Sequence, residues 1–149
     1  MDTLDRKIIR ELQNNGKATS KELEKRLKVS DGTIRFRMKR MVKQKLVRIT
    51  ALANPFSFKD GILGFVGMEL EKRTHQKTME KISNINGVLT VCNVTGRFDL
   101  LAEFFFESRQ ELKKFLIEDL SKIAGINRTE TYIILDAINK WIELPELNK

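Results

Sequence analysis

Two stretches of this 149-residue chain echo one another, and the echo limits the folds open to its larger part. Ile82, Ile85, Gly87 and Val88 have the same spacing as Leu120, Ile123, Gly125 and Ile126. In each, an apolar helical stripe runs into a glycine and β-forming residues begin at once. Glycine at that place accepts the left-handed backbone that ends many helices. The periodicity predicts a strand from Ile62 to Leu70, a helix from Thr74 to about Ile85 with Met79 and Ile82 inward, and a strand from Val88 to Thr95. After the turn Thr95-Gly96-Arg97, a third strand is expected from Leu100 to Phe106. Ser108-Arg109-Gln110-Glu111 reads as a capping box opening a second helix, with Leu112, Phe115, Leu116, Leu120 and Ile123 as its stripe. Thr129 to Leu135 is expected as strand four, and Ala137 to Leu144 as a short tail.

Two tandem strand-helix-strand units predict a ferredoxin-like βαββαβ sheet over 62–149, with both helices on one face. Apolar residues fall on both faces of the first and third strands, as Phe65 with Val66 and Phe104 with Phe105 show. The face without helices is therefore expected to pack against a second subunit. Asn54-Pro55 and Lys59-Asp60-Gly61 punctuate a hinge or linker at 51–61.

Residues 1–50 have a different period. Leu4, Ile8, Ile9 and Leu12 follow Asp2, a helix cap, and Asn14-Asn15-Gly16 closes that segment. Thr19-Ser20-Lys21-Glu22 is a capping box before a short helix bearing Leu23 and Leu27. After Lys28-Val29, Ser30 can cap a third helix with an apolar stripe of Ile34, Met38, Met41 and Val42. Three short helices sharing one small core are expected, so the whole chain belongs to the α+β class.

Charge separates the two parts. The chain carries a net charge of +8, but residues 1–50 hold fifteen Lys+Arg against six Asp+Glu, a net of +9, and the remainder is −1. A basic block on a near-neutral body is the electrostatic footprint of polyanion binding. On the third helix Arg35, Lys39 and Lys43 are four apart, and Thr33, Arg37, Arg40 and Gln44 form an adjoining row. Like charges at that spacing destabilise an isolated helix by a few tenths of a kcal/mol per pair, a cost that phosphates relieve. A tight connection into a basic third helix is the geometry that lays a recognition helix in the major groove of double-stranded DNA. Ser30, Asp31, Thr33 and Arg37 are placed to face base edges or flanking phosphates, and Arg35, Lys39, Arg40 and Lys43 to hold the backbone. A protein that coats DNA or RNA without sequence preference would use the same surface and stands as the alternative.

Other classes are poorly served. No apolar run approaches the roughly 18 residues that span a bilayer, and the N-terminus lacks a signal-peptide pattern, so a cytoplasmic location is expected with no membrane partner. One cysteine and one histidine, Cys92 and His75, cannot supply a disulfide or the usual zinc set, and neither a cofactor nor a metal is expected. Nucleophile motifs and a phosphate loop are missing, so an enzyme is not expected. Cys92 reads as a small buried thiol, His75 as a surface residue, Phe104-Phe105-Phe106 as core and interface, and Trp141 as the anchor of the tail.

The residues also carry a resemblance. Leu4-Asp5-Arg6-Lys7-Ile8-Ile9-Arg10-Glu11-Leu12-Gln13, Leu27-Lys28-Val29-Ser30, Thr33-Ile34-Arg35-Phe36-Arg37 and Lys39-Arg40-Met41 resemble the helix-turn-helix of the Lrp/AsnC, or feast/famine, regulators. Leu46 to Pro55 resembles that family's hinge strand, and Lys45 stands where the family usually has a glycine. The second part resembles the family's effector-binding and dimerisation domain through Gly96-Arg97-Phe98-Asp99 and Asn127-Arg128-Thr129-Glu130-Thr131. The resemblance implies a regulator of amino acid metabolism that binds DNA as a homodimer or higher oligomer and takes an amino acid effector between subunits. It implies that Thr95, Gly96, Arg97, Phe98 and Asp99 line that pocket with Asn127, Arg128, Thr129 and Thr131. Asp99 would meet the α-ammonium, and the amides around Gly96 with Thr129 or Thr131 the carboxylate. The residues alone leave open that Gly96 makes only a hairpin which Asp99 caps.

Overall fold

The computed structural model describes residues 1–71 and 75–145. The chain forms two compact units, Met1–Thr50 and Ala51–Lys149.

The first unit consists of helices α1 (Thr3–Asn14), α2 (Ser20–Leu27) and α3 (Asp31–Lys43). Each starts where a side-chain oxygen can take an amide of the first turn. Asp2 and Asp5 exchange backbone N–H bonds reciprocally at α1, Thr19 and Glu22 do so at α2, and Ser30 accepts from the Thr33 amide at α3. Lys28 ends α2 in the left-handed conformation, at φ 54°. Ile8, Ala18, Leu23, Ile34 and Met41 form the buried core, with Leu4, Ile9, Leu12, Leu27, Met38 and Val47 against it. Val42, expected in this stripe, is exposed. At about 100° per residue it lies roughly 80° around the helix from Ile34, on the shoulder of the buried face.

In the second unit, strands β1 (Ile62–Leu70), β2 (Val88–Asn93), β3 (Leu100–Phe106) and β4 (Ile126–Ile133) form one antiparallel sheet in the order β2-β3-β1-β4. Helix α4 (His75–Ser83) joins β1 to β2, and α5 (Arg109–Lys114) begins the connection from β3 to β4. This is the ferredoxin-like arrangement. Thr74, where the sequence starts α4, lies outside the described residues. The paired glycines behave as their echo implies: Gly87 has φ +92° and Gly125 φ +89°. At Gly87 a Cβ would also come within 2.2 Å of the Phe106 ring, so the position admits no side chain.

Val66, Met68, Ile82, Leu100, Ala102, Phe104, Phe106, Phe115, Leu120 and Ile123 pack between the sheet and its helices. Phe115 and Leu120 are five apart, a spacing that an α-helix would splay by roughly 140°. The helix meets it by widening into a π turn over Phe115–Asp119, with the Leu120 amide donating to the Phe115 carbonyl.

The other sheet face is partly covered by this chain itself. Leu63 and Phe105 lie beneath Ile142, with Phe58, Leu89 and Ile134 packed around them. Ala53 and Ile142 exchange backbone hydrogen bonds of 2.8 and 3.0 Å, and Lys140 pairs with Glu103 of β3. The tail anchor is therefore Ile142 and not Trp141, which is exposed. Cys92 is exposed too, contrary to the expectation of a buried thiol, because β2 is the edge strand and its far side stays uncovered. Among the described residues the stretch expected as a hinge strand belongs to no strand before the Ala53 bridge. A strand needs a partner ladder, and Leu46, Ile49 and Leu52 are left exposed without one among the described residues.

Candidate functional site

The polar sides of α3 are not equivalent. Arg37 and Arg40 turn toward α1, where Asp5 is 0% exposed. One Arg37 nitrogen donates to Asp5 at 3.0 Å and to Asp2 at 2.5 Å, and Arg40 donates to the other Asp5 oxygen at 2.6 Å. Burial alone would raise the Asp5 carboxyl; the Asp2 amide and the two guanidiniums outweigh it and leave it below its ordinary value. The Arg37 hydrogen bond, followed by the Asp5 amide, holds Asp2 down to about 2. Asp2 and Asp5 in turn raise Arg37. This cluster joins the first turn of α1 to the middle of α3, and it uses two of the five cations counted on the recognition surface.

Other expected contacts are also engaged. The Ser30 and Thr33 hydroxyls hydrogen-bond each other at 2.9 Å, and Asp31 pairs with Arg35 at 2.8 Å. Lys39 and Lys43 are exposed and belong to no ion pair among the described residues. Beside them lies a residue that the sequence reading passed over as a contact: Phe36, 68% exposed. The available signal was helical phase, because Phe36 is two positions from buried Ile34 and so on nearly the opposite side.

The residues marked for an effector divide between the two sheet faces. Phe98 lies against Gly67, where a Cβ would fall 2.5 Å from its ring. Arg97 stacks over Phe98 at 5.3 Å and pairs with Glu130 at 2.7 Å, and Arg128 approaches the same Glu130 oxygen at 4.0 Å. Tyr132 donates its hydroxyl to Glu130, which raises the phenol's pKa. Arg97, Phe98, Arg128, Glu130 and Tyr132 thus form one cluster on the face without helices. Asp99 accepts the Leu70 amide at 2.8 Å and donates its own amide to Met68, so one of its carboxylate oxygens is already occupied. Thr95 and Gly96 are exposed in the turn.

Thr129 and Thr131 pair with Met68 and Val66, both of the helix-side core. Directly paired residues point to the same face, so these threonines point away from the Arg97 cluster. Thr129 instead lines a cavity of about 210 Å³ with Asn127, Arg128, Leu116 and Leu120. The nine expected residues therefore do not converge on one pocket within a single chain. A larger cavity of about 550 Å³, lined by Asn84, Gly87, Glu107, Glu111 and Lys114 among others, lies at the opposite end of β3 and contains none of them.

Residues 63–141 match the family model of the Lrp/AsnC ligand-binding domain, and residues 1–48 match a winged helix-turn-helix DNA-binding model. The chain belongs to the Lrp/AsnC family of transcriptional regulators. It is 34% identical over 142 residues to the HTH-type transcriptional regulator PH0140 of Pyrococcus horikoshii, covering 95% of this chain and 89% of the relative. Its fold is similar to that of E. coli AsnC, with a TM-score of 0.74, 25% identity, and coverage of 92% and 93% of the two chains. It is also similar to the transcriptional regulator NMB0573 from Neisseria meningitidis, a structure described as a complex with L-Met. There the TM-score is 0.75 and the identity 25%, over 94% and 93% of the chains. As an Lrp/AsnC regulator the chain has DNA as a partner, and its second unit carries the family's ligand-binding domain. No helix among the described residues is long and apolar enough to cross a membrane.

Proposed function

We propose that the chain is a sequence-specific regulator that binds duplex DNA through α3 as a homodimer or higher oligomer, and that a bound amino acid adjusts this binding in the control of amino acid metabolism. The observation that carries the DNA reading is the outer side of α3. Lys39 and Lys43 stand there exposed and with no ion pair among the described residues, while Asp5 holds the inner side through Arg37 and Arg40. A surface serving only solubility would not need Arg37 and Arg40 drawn inward while Lys39 and Lys43 are left outside. Ser30, Thr33 and Arg35 lie at the start of the same helix and meet flanking phosphates.

For the effector, the Asp99 oxygen not used by the Leu70 amide accepts the α-ammonium, and the Gly96 amide with Arg97 receives the carboxylate. A zwitterion needs such an acceptor and donors close together. Thr129 and Thr131 have no part in this revised site. The L-Met complex of the Neisseria relative supports an amino acid as the ligand class.

Two measurements test the reading. Gel-shift titration at several salt concentrations should give binding that falls with salt and prefers palindromic sites with half-sites about one helical turn apart. Equal affinity for selected and random duplexes would refute sequence specificity. A thermal-shift screen of the twenty amino acids should raise the melting midpoint for a subset, because a ligand of the folded form alone stabilises it by mass action. A flat screen removes the amino acid effector.

A further inference from the structure

We propose that Phe36 reads sequence, its ring packing on the C5-methyl of a thymine in the major groove. The inference rests on the DNA-binding role of α3 given above and assigns that helix its base-specific contact. Phe36 follows Ile34 by two positions, so at about 100° per residue it lies roughly 160° around α3 from that buried side chain. Ile34, Met38 and Met41 form the inner stripe, and Phe36 therefore occupies the outermost line of the helix. It is 68% exposed and packs with neither the unit's apolar core nor another ring among the described residues.

Its surroundings select the occupant. Gly32, one turn before it, has no side chain, and a Cβ there would meet only open space, so a flat surface can approach closely. Lys39 and Lys43, one and two turns after it, are exposed and carry no ion pair among the described residues. An apolar protein surface covering the ring would strip water from both ammonium groups without replacing it. A DNA groove offers phosphates to the lysines and a methyl group to the ring in the same approach. Thymine alone among the four bases presents that methyl in the major groove, so the contact distinguishes T·A from the other pairs at one position of a half-site. Lys39 and Lys43 supply affinity for any duplex; the ring supplies preference.

The test begins with duplexes enriched from a random library by the full-length wild-type protein. Each thymine of the enriched site is then replaced singly by uracil, which lacks only the methyl, and affinities are measured by fluorescence anisotropy for wild type, Phe36→Ala and Phe36→Leu. One thymine per half-site is expected to cost the wild type about fourfold on conversion to uracil, the scale of one buried methyl. Phe36→Ala should bind the thymine duplex several-fold more weakly and be indifferent to that conversion, whereas Phe36→Leu should keep part of the sensitivity. Because the ring is exposed, the variants should melt with the wild type. Uracil penalties equal in wild type and Phe36→Ala overturn the proposal, as does a change of oligomeric state at unaltered DNA affinity, which would make the ring a contact between chains. If the wild type enriches no site at all, the sequence-specific reading itself fails; if it enriches a site that Phe36→Ala binds equally well, only the role of Phe36 fails.

Discussion

The two units place buried charge differently: in the second, the buried carboxylate Glu103 pairs with Lys140 on the sheet face away from the helices and stays out of the main core. In that unit's main core, Phe104, Phe106 and Phe115 pack with ring centroids 5.1 to 5.7 Å apart among buried apolar side chains. In the first, a much smaller apolar core shares the interior with Asp5, which two arginines neutralise. About fifty residues bury too little apolar surface to fix three helices firmly. An interior carboxylate adds direction where area is short, since Asp5 can satisfy Arg37 and Arg40 together in only one placement of α3 against α1. The difference teaches that the basic helix serves two ends: Arg37 and Arg40 set its pose against α1, and its outer ridge is left for a partner.

The largest effect that would break this contrast is expected in the aromatic layer. Phe104→Ala should destabilise the second unit by about 3–5 kcal/mol, through lost burial and the cavity left behind. Fluorescence of Trp141, which belongs to that unit, should report an early transition, while helical circular dichroism from the first unit changes little. Asp5→Ala is the converse. Among the described residues it leaves Arg37 with Asp2 alone and Arg40 with no carboxylate, and the first unit's melting midpoint should fall by on the order of 10 °C. An Asp5→Ala protein that melts like the wild type would reduce the cluster to decoration.

Acid sharpens the same point. Asp2 has a folded pKa of about 2 against an ordinary 3.8, and Asp5 is also lowered. Their folded pKa values lie below the unfolded ones, so the stabilisation is complete above about pH 4 and disappears as pH falls through the folded values. Between roughly pH 4 and 2 the first unit should lose stability, as followed by circular dichroism, and Asp2→Asn with Asp5→Asn should flatten that limb. A curve unchanged by the double substitution would place the acid sensitivity elsewhere.

Much of the fold was legible because it depends on local rules. The caps at Asp2, Thr19 and Ser30, the limits of β1 and β3, and the left-handed glycines at 87 and 125 all follow from a few neighbouring residues. What stayed hidden depends on contacts distant in sequence. Asp5 reads as a first-turn carboxylate, and only the packing of α1 on α3 gives it two guanidiniums from more than thirty residues away. That contact turns Arg37 and Arg40, expected on the DNA-facing surface, toward α1. Register likewise separated Thr129 and Thr131 from Arg97, because a strand reverses facing at every residue and the pattern 127–131 does not say which face meets the turn. Ile142 replaced Trp141 as the anchor for the same reason, the two being adjacent and oppositely directed.

The finest test of a marginal first unit is at the end of α3. The Lys45 amide donates to the Val42 carbonyl and the Leu46 amide to the Met41 carbonyl, the paired bonds that close a helix through a left-handed residue. Lys45 holds that place at φ 54°, a conformation costing an L-residue with a Cβ roughly 1–2 kcal/mol and glycine nearly nothing. The entropy glycine loses on folding offsets part of the relief. Lys45→Gly should therefore stabilise the first unit by about 0.5–1 kcal/mol, seen as a rise of a few degrees in its melting midpoint with the second unit unmoved. The side chain is exposed, so nothing is lost from the core. A midpoint that falls would mean that the Lys45 side chain contributes more to the end of α3 than its backbone costs, and that the unit is less finely balanced than its small core implies.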